Sequence, residues 1–170
     1  LPVGVQNTDM SVLTDEKPLW GLGDWTRDSE HIVVYDEFDA WMIARDGSSA
    51  ERMTDGRGDD IRYRLARVRI VGDDEDHLDP EAPMHFTMYG DLSKKRGVAR
   101  RMPDGTVDIL RWEDRQLGGL TRAHDADVYA WTEQAFDMPP RLMVAGDDLT
   151  PDAPVATTNE WLAKRAWGRA

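Results

Sequence analysis

Cysteine is absent from the 170 residues, which excludes a disulfide framework, a thiolate metal site and a cysteine nucleophile together. A cysteine-free chain suits either redox compartment, so this absence does not place the protein. Long apolar runs are missing too. Nothing approaches the roughly 20 consecutive apolar residues that span a bilayer, so membrane insertion is not expected. The opening LPVGVQNTDM has neither the cationic nor the apolar stretch of a signal peptide, and the closing AWGRA has no turn or cap to finish an element. Both ends read as cut from something longer. Positive charge is scarce: 21 Lys and Arg stand against 33 Asp and Glu, a net charge of -12. Phosphate contacts need clustered cations, so no nucleic-acid partner is expected, and an anionic membrane surface is disfavoured for the same reason. Also missing is Gly-x-Ser-x-Gly, whose small flanking residues permit the strained turn that exposes a serine nucleophile. Ser11, Ser29, Ser48, Ser49 and Ser93 all lack that context. No catalytic residue and no cofactor is expected on this chain.

What is present reads as strands. Forty per cent of the residues are hydrophobic, enough for one packed core at this length. Residues 31–35, HIVVY, and 40–44, AWMIA, are β-branched or aromatic runs bounded by polar turn formers, and Asp46-Gly47 follows the second. In residues 61–70, IRYRLARVRI, Ile61, Tyr63 and Leu65 share one face, then Ala66, Val68 and Ile70 do. The phase slips by one residue, which a β-bulge would absorb. Residues 84–89 alternate, and residues 97–102 and 106–112 pair across Pro103-Asp104-Gly105. VYAWT at 128–132 and RLMVA at 141–145 are the last clear strands. A short helix is expected from Thr157 to about Ala163, where Thr157 and Glu160 fit a capping box.

The strands recur as a unit. WTRDSEHIVVYDEFDAWMIARDG has the order Trp, turn, strand, polar break, strand, turn, and GGLTRAHDADVYAWTEQAFDMPPRLMVAGDD repeats it. A degenerate middle copy divides the interval into two steps of about 50 residues, close to the period of propeller blades. The fold class is therefore all-β: a partial β-propeller of about three to four blades of antiparallel four-stranded sheets, with blades near residues 1–55, 56–112 and 113–170. Closed propellers have about four to eight blades, so this one is incomplete and leaves outer faces bare. A β-sandwich with coincidental spacing is the competing architecture.

Trp25, Asp28, Tyr35, Asp36, Asp39, Trp41, Asp46, Gly47, Thr54, Asp55, Gly56, Arg62, Tyr63 and Arg64 stand in an order that resembles the propeller of the prolyl oligopeptidase family of serine peptidases. Bacterial dipeptidyl and acylaminoacyl peptidases are the nearest likeness. Met53 stands where Leu is usual and Phe38 where Tyr is common. Ala166-Trp167-Gly168-Arg169 resembles the stretch that leads from such a propeller into its hydrolase domain. The resemblance implies a downstream α/β-hydrolase domain carrying Ser, Asp and His, absent from this chain. It also implies a propeller that covers that active site and admits short peptides, and a secreted or periplasmic location.

Several clusters have both a functional and a structural reading. Asp36, Glu37 and Asp39, at a strand-to-strand turn, could bind a peptide amino terminus; as turn formers they would bond within the turn. Asp73, Asp74, Glu75, Asp76 and Asp79 could hold calcium, but lack the Asp-x-Asp-x-Asp-Gly order, so a solvated loop is the simpler reading. No metal site is expected: His31, His77, His85 and His124 have no carboxylates at ligand spacing, and His85 reads as facing a groove or solvent. Arg62, Arg64, Arg67 and Arg69 could bind an anion, or pair with carboxylates of neighbouring blades. Trp25 and Trp41 read as blade-to-blade packing.

Two functions follow. One is the non-catalytic gate of a serine peptidase, partnered by further blades, a hydrolase domain and short peptide substrates. The other is an interaction propeller of the TolB or WD-repeat sort with no enzyme attached. Self-association through open blade faces is possible in either.

Overall fold

The structure, a computed structural model, describes residues 4–9, 16–70 and 77–165. Three β-sheets follow one another along the chain. Strands β1 (Leu22–Trp25), β2 (His31–Tyr35), β3 (Ala40–Ala44) and β4 (Ala50–Arg52) form the first, in that order. The second is β5 (Ile61–Leu65), β7 (Met84–Gly90), β8 (Arg96–Arg101) and β9 (Val107–Glu113). The third is β10 (Gln116–Arg122), β11 (Tyr129–Ala135), β12 (Met138–Ala145) and β13 (Ala156–Thr157). A two-residue strand, β6 (Arg69–Ile70), joins it at the free edge of β10, running parallel to β10. All other pairings within the sheets are antiparallel. The strands read at 31–35 and 40–44 appear with those bounds.

One local device recurs at the turns. Asp28, Asp46, Asp104 and Asp148 each accept, on Oδ1, the backbone N–H two residues on, at 2.9–3.0 Å. These Asx turns let a short side chain do what a backbone carbonyl does elsewhere. Gly47 (φ 74°) and Gly105 (φ 90°) supply the left-handed residue in two of these turns.

Alternation along the strands sends side chains into two cores. Val33, Tyr35, Ala40, Met84, Phe86 and Met88 meet between the first and second sheets. Val98, Tyr129, Trp131, Met143 and Leu149 meet between the second and third. Full burial of side chains such as Phe86 stabilises by roughly 1.5–3 kcal/mol each, so face-to-face stacking is what holds the sheets together.

The phase slip between Leu65 and Ala66 is not a bulge. Ala66 N still donates to the His85 carbonyl at 2.8 Å, but the chain then leaves the second sheet and pairs with β10 of the third. Tyr63 and Leu65 belong to the first core and Val68 to the second, so the changed alternation marks a change of partner sheet. The segment later returns to the first sheet, where Leu78 bridges Thr26 in parallel.

The expected helix is a 3-10 turn, Glu160–Lys164. Its N-cap is Asn159, no side-chain capping bond forms, and Thr157 lies in β13, paired with Arg141. A capping box needs Thr157 in the N-cap position, and its strand pairing removes it. Trp25 and Trp41 do not pack between the sheets described. Their cross-strand partners are Ile32 and Val34, on the face turned away from the second sheet. The tryptophans packed between sheets are Trp20, Trp112 and Trp131. Leu22, Trp25, Ile32, Val34 and Trp41 thus make an apolar outer face on the first sheet, with Trp25 45% exposed. On the third sheet the outer face is smaller and more polar, with Ala130 opposite Val144 and Thr132 opposite Leu142. Residues 73–76 of the acidic run and 166–169 at the end lie outside the described residues. No helix among the described residues is long and apolar enough to cross a membrane.

Candidate functional site

The turn between β2 and β3 brings Asp36, Glu37 and Asp39 together, but with unlike surroundings. Asp36 and Asp39 are each 1% exposed. Asp36 Oδ1 accepts the N–H of Phe38 at 2.8 Å and of Asp39 at 2.6 Å. Its Oδ2 accepts the Trp41 indole N–H at 3.2 Å and an Arg57 guanidinium N–H at 3.3 Å. Asp39 Oδ1 accepts the Thr54 hydroxyl at 2.9 Å and the Gly56 N–H at 2.6 Å. Burial pushes the Asp39 carboxyl up, against the lowering pull of those two donors. The two aspartates tie β2, β3 and the segment after β4 into one knot, which occupies both Asp36 oxygens and Asp39 Oδ1. Glu37 is the accessible member, with an Arg62 guanidinium nitrogen 3.7 Å from its Oε1.

The arginines of β5 and beyond hold neighbouring sheets together. Arg62 reaches Asp91 at 2.7 Å as well as Asp9 and Glu37, and Arg67 reaches Asp24 of β1 at 2.7 Å. Arg64 differs: it donates to the carbonyls of Asp36 and Glu37 at 3.1 Å and lies over the Tyr35 ring. Backbone carbonyls, not carboxylates, are its partners.

A second polar constellation lies between the second and third sheets, and sequence reasoning missed it. Glu133 is 0% exposed, in register with Arg141 on the face that carries Trp131. Its Oε1 accepts from Arg111 at 2.9 Å and from the Trp131 indole at 3.1 Å. Its Oε2 accepts from Arg115 at 3.1 Å. Beside it opens a pocket of about 170 Å³. Val98, Leu117, Leu120 and Trp131 supply apolar wall, and Thr87, Arg96 and Arg111 supply polar groups. The Arg111 Nε is buried without a hydrogen-bond partner. The only sequence signal was the period-2 run Tyr129, Trp131, Glu133, which puts an acid on an aromatic face.

His85, at the other end of the same interface, is 8% exposed, not turned to a groove or solvent. It stacks 5.5 Å from the Tyr129 ring at a tilt of 50°. Its neighbours include Arg100, held by Asp147, and Arg122, held by Asp127. Burial, helped by the Arg100 and Arg122 guanidiniums, pulls its imidazole from 6.5 down to about 4. The unfolded chain therefore takes up this proton before the folded one does. The contribution is complete above pH 6.5 and fades as pH falls to about 4, by as much as about 3 kcal/mol. Urea midpoints measured across that range should fall less steeply for His85→Leu than for the parent chain. Equal slopes would remove His85 from the acid response.

Among the described residues no group of three His, Asp or Glu is placed to hold a metal ion. Three stacked, largely antiparallel sheets of four sequential strands define the class: the chain has a β-propeller-like fold. No protein-family model and no curated protein matches it. Among solved structures it is similar to an oligogalacturonate lyase in complex with manganese, with a TM-score of 0.51 and 13% sequence identity. The alignment covers 84% of this chain and 43% of that one, so the chain spans less than half of the protein it matches. At that identity the likeness is one of fold alone.

Proposed function

We propose that the chain is the non-catalytic propeller portion of a serine peptidase, covering the active site of an α/β-hydrolase domain and admitting short peptides. The observation that carries this reading is the knot in the first sheet. Asp36, Asp39, Trp41, Thr54, Gly56 and Arg64, all members of the pattern resembling the prolyl oligopeptidase family, bond to one another around a single turn. A sequence pattern whose members interlock is under one joint constraint, which supports a shared blade design over chance spacing. The apolar outer face of the first sheet supports the incomplete-ring part of the proposal, because stacking another blade is how such a face is covered.

The test is chemical. The reading frame past Ala170 should continue into Gly-x-Ser-x-Gly, with Asp and His further on. The parent polypeptide should hydrolyse short aminoacyl and dipeptidyl anilides, with turnover stopped by a serine-directed reagent, while the 170-residue chain turns over none. A frame with further blades and no such motif would replace this reading with the interaction platform. Serine-dependent turnover by the chain alone would overturn both.

A further inference from the structure

We infer that the pocket between the second and third sheets binds a small aromatic carboxylate: an aryl ring with a carboxylate one or two carbons away. Size supports the ring. The pocket measures about 170 Å³, and an apolar cavity of roughly 150 Å³ accommodates benzene. Val98, Leu117, Leu120 and Trp131 face that space with apolar surface.

Two observations support the carboxylate. The first is a donor with nothing to do. Arg111 lines the pocket, and while its Nη2 is taken by Glu113 and Glu133, its Nε is buried and unpartnered. Leaving such a donor unsatisfied costs about 1–3 kcal/mol, a deficit that a ligand oxygen removes. The second is a cation at the rim that no carboxylate pairs. Arg96 lines both the pocket and the adjoining polar groove, and Lys94 lines the groove. Both cations lie over one Tyr89 ring, at 4.8 and 5.6 Å, and neither has a carboxylate partner among the described residues. Asp114 and Asp137 line the groove but not the pocket, so Arg96, the cation shared by both, is the one placed to meet an anion entering the pocket. The inference is independent of the peptidase reading, because it concerns binding to this chain itself.

Calorimetric titration of the chain with 3-phenylpropionate, Gly-Gly-Phe and Gly-Gly-Phe amide tests it. The two acids should bind saturably, with dissociation constants on the order of 0.1–1 mM. They should shift the Trp131 indole N–H resonance, and the amide should bind about 10-fold more weakly. A tripeptide tighter than phenylpropionate identifies a peptide C-terminus as the source of the carboxylate; the reverse order identifies a free acid. Arg96→Gln should weaken both acids about 10-fold at an unchanged urea midpoint. Thr87→Phe, at an exposed position on the pocket wall, should abolish binding by occupying the space. No saturable binding, or binding indifferent to the carboxylate and to both substitutions, would mean that the pocket holds only solvent.

Discussion

Glu133→Gln is expected to destabilise the fold by about 3 kcal/mol, because a buried cation that loses its counter-charge is strongly unfavourable. The carboxylate is wholly buried and neutralises guanidiniums on both sides of it. Gln preserves the shape and one acceptor but removes the charge. Arg111, whose side chain is only 15% exposed, would then keep Glu113 alone, and Arg115 would keep no carboxylate among the described residues. For a chain of this size the loss corresponds to roughly 6–12 °C in Tm, readable by thermal unfolding. Arg115→Gln is the control. That side chain is 37% exposed, so solvent screens much of the pair, and the effect should stay near 1 kcal/mol or below. Equal effects of the two substitutions would mean that the interface does not depend on the buried charge.

Why one site was legible and the other was not comes down to sequence distance. Asp36 and Asp39 announce themselves locally: an acid between two β-branched or aromatic runs, with its own backbone N–H groups two and three residues away, is a turn former. The strands flanking it were equally plain, because their alternation ends at Asp36 and at Asp46-Gly47. Glu133 meets partners 22 and 18 residues earlier, across two strands and a sheet boundary, so its neighbourhood in sequence carries no trace of them. QLGGLTR hid β10 for another reason. The two glycines interrupt the apolar alternation, and Gly119 (φ 66°) sits where the β10–β11 register shifts, so the strand contains the irregularity that masks it. IRYRLARVRI misled because alternation reports which face is buried but not against which sheet. Trp25 and Trp41 raise the same question: they look like packing residues, and the face they occupy has no covering sheet among the described residues.

At the turn in the first sheet, hydrogen-bond acceptance matters more than charge, so the two substitutions that test it should separate. Asp39→Ala is expected to cost about 2–4 kcal/mol, since it strands the Gly56 N–H and the Thr54 hydroxyl in a buried place. Asp39→Asn retains an oxygen for both donors and should cost about 1 kcal/mol or less. A Cβ on Gly56 would lie 2.0 Å from the Ile61 carbonyl oxygen, so the Gly56 backbone packs directly against β5. The pH response carries the same logic with the sign opposite to His85. Burial raises the Asp39 carboxyl above its ordinary 3.8, so the folded chain takes up this proton first. The penalty of holding a buried charge is absent below the unfolded value, and it returns as pH rises through the raised folded one. Asp39→Asn removes that term, so acid unfolding followed by urea midpoints should steepen relative to the parent chain, leaving the His85 loss unopposed. A shallower profile would mean that the Asp39 carboxylate is held as an anion by its donors, and that the knot depends on charge after all.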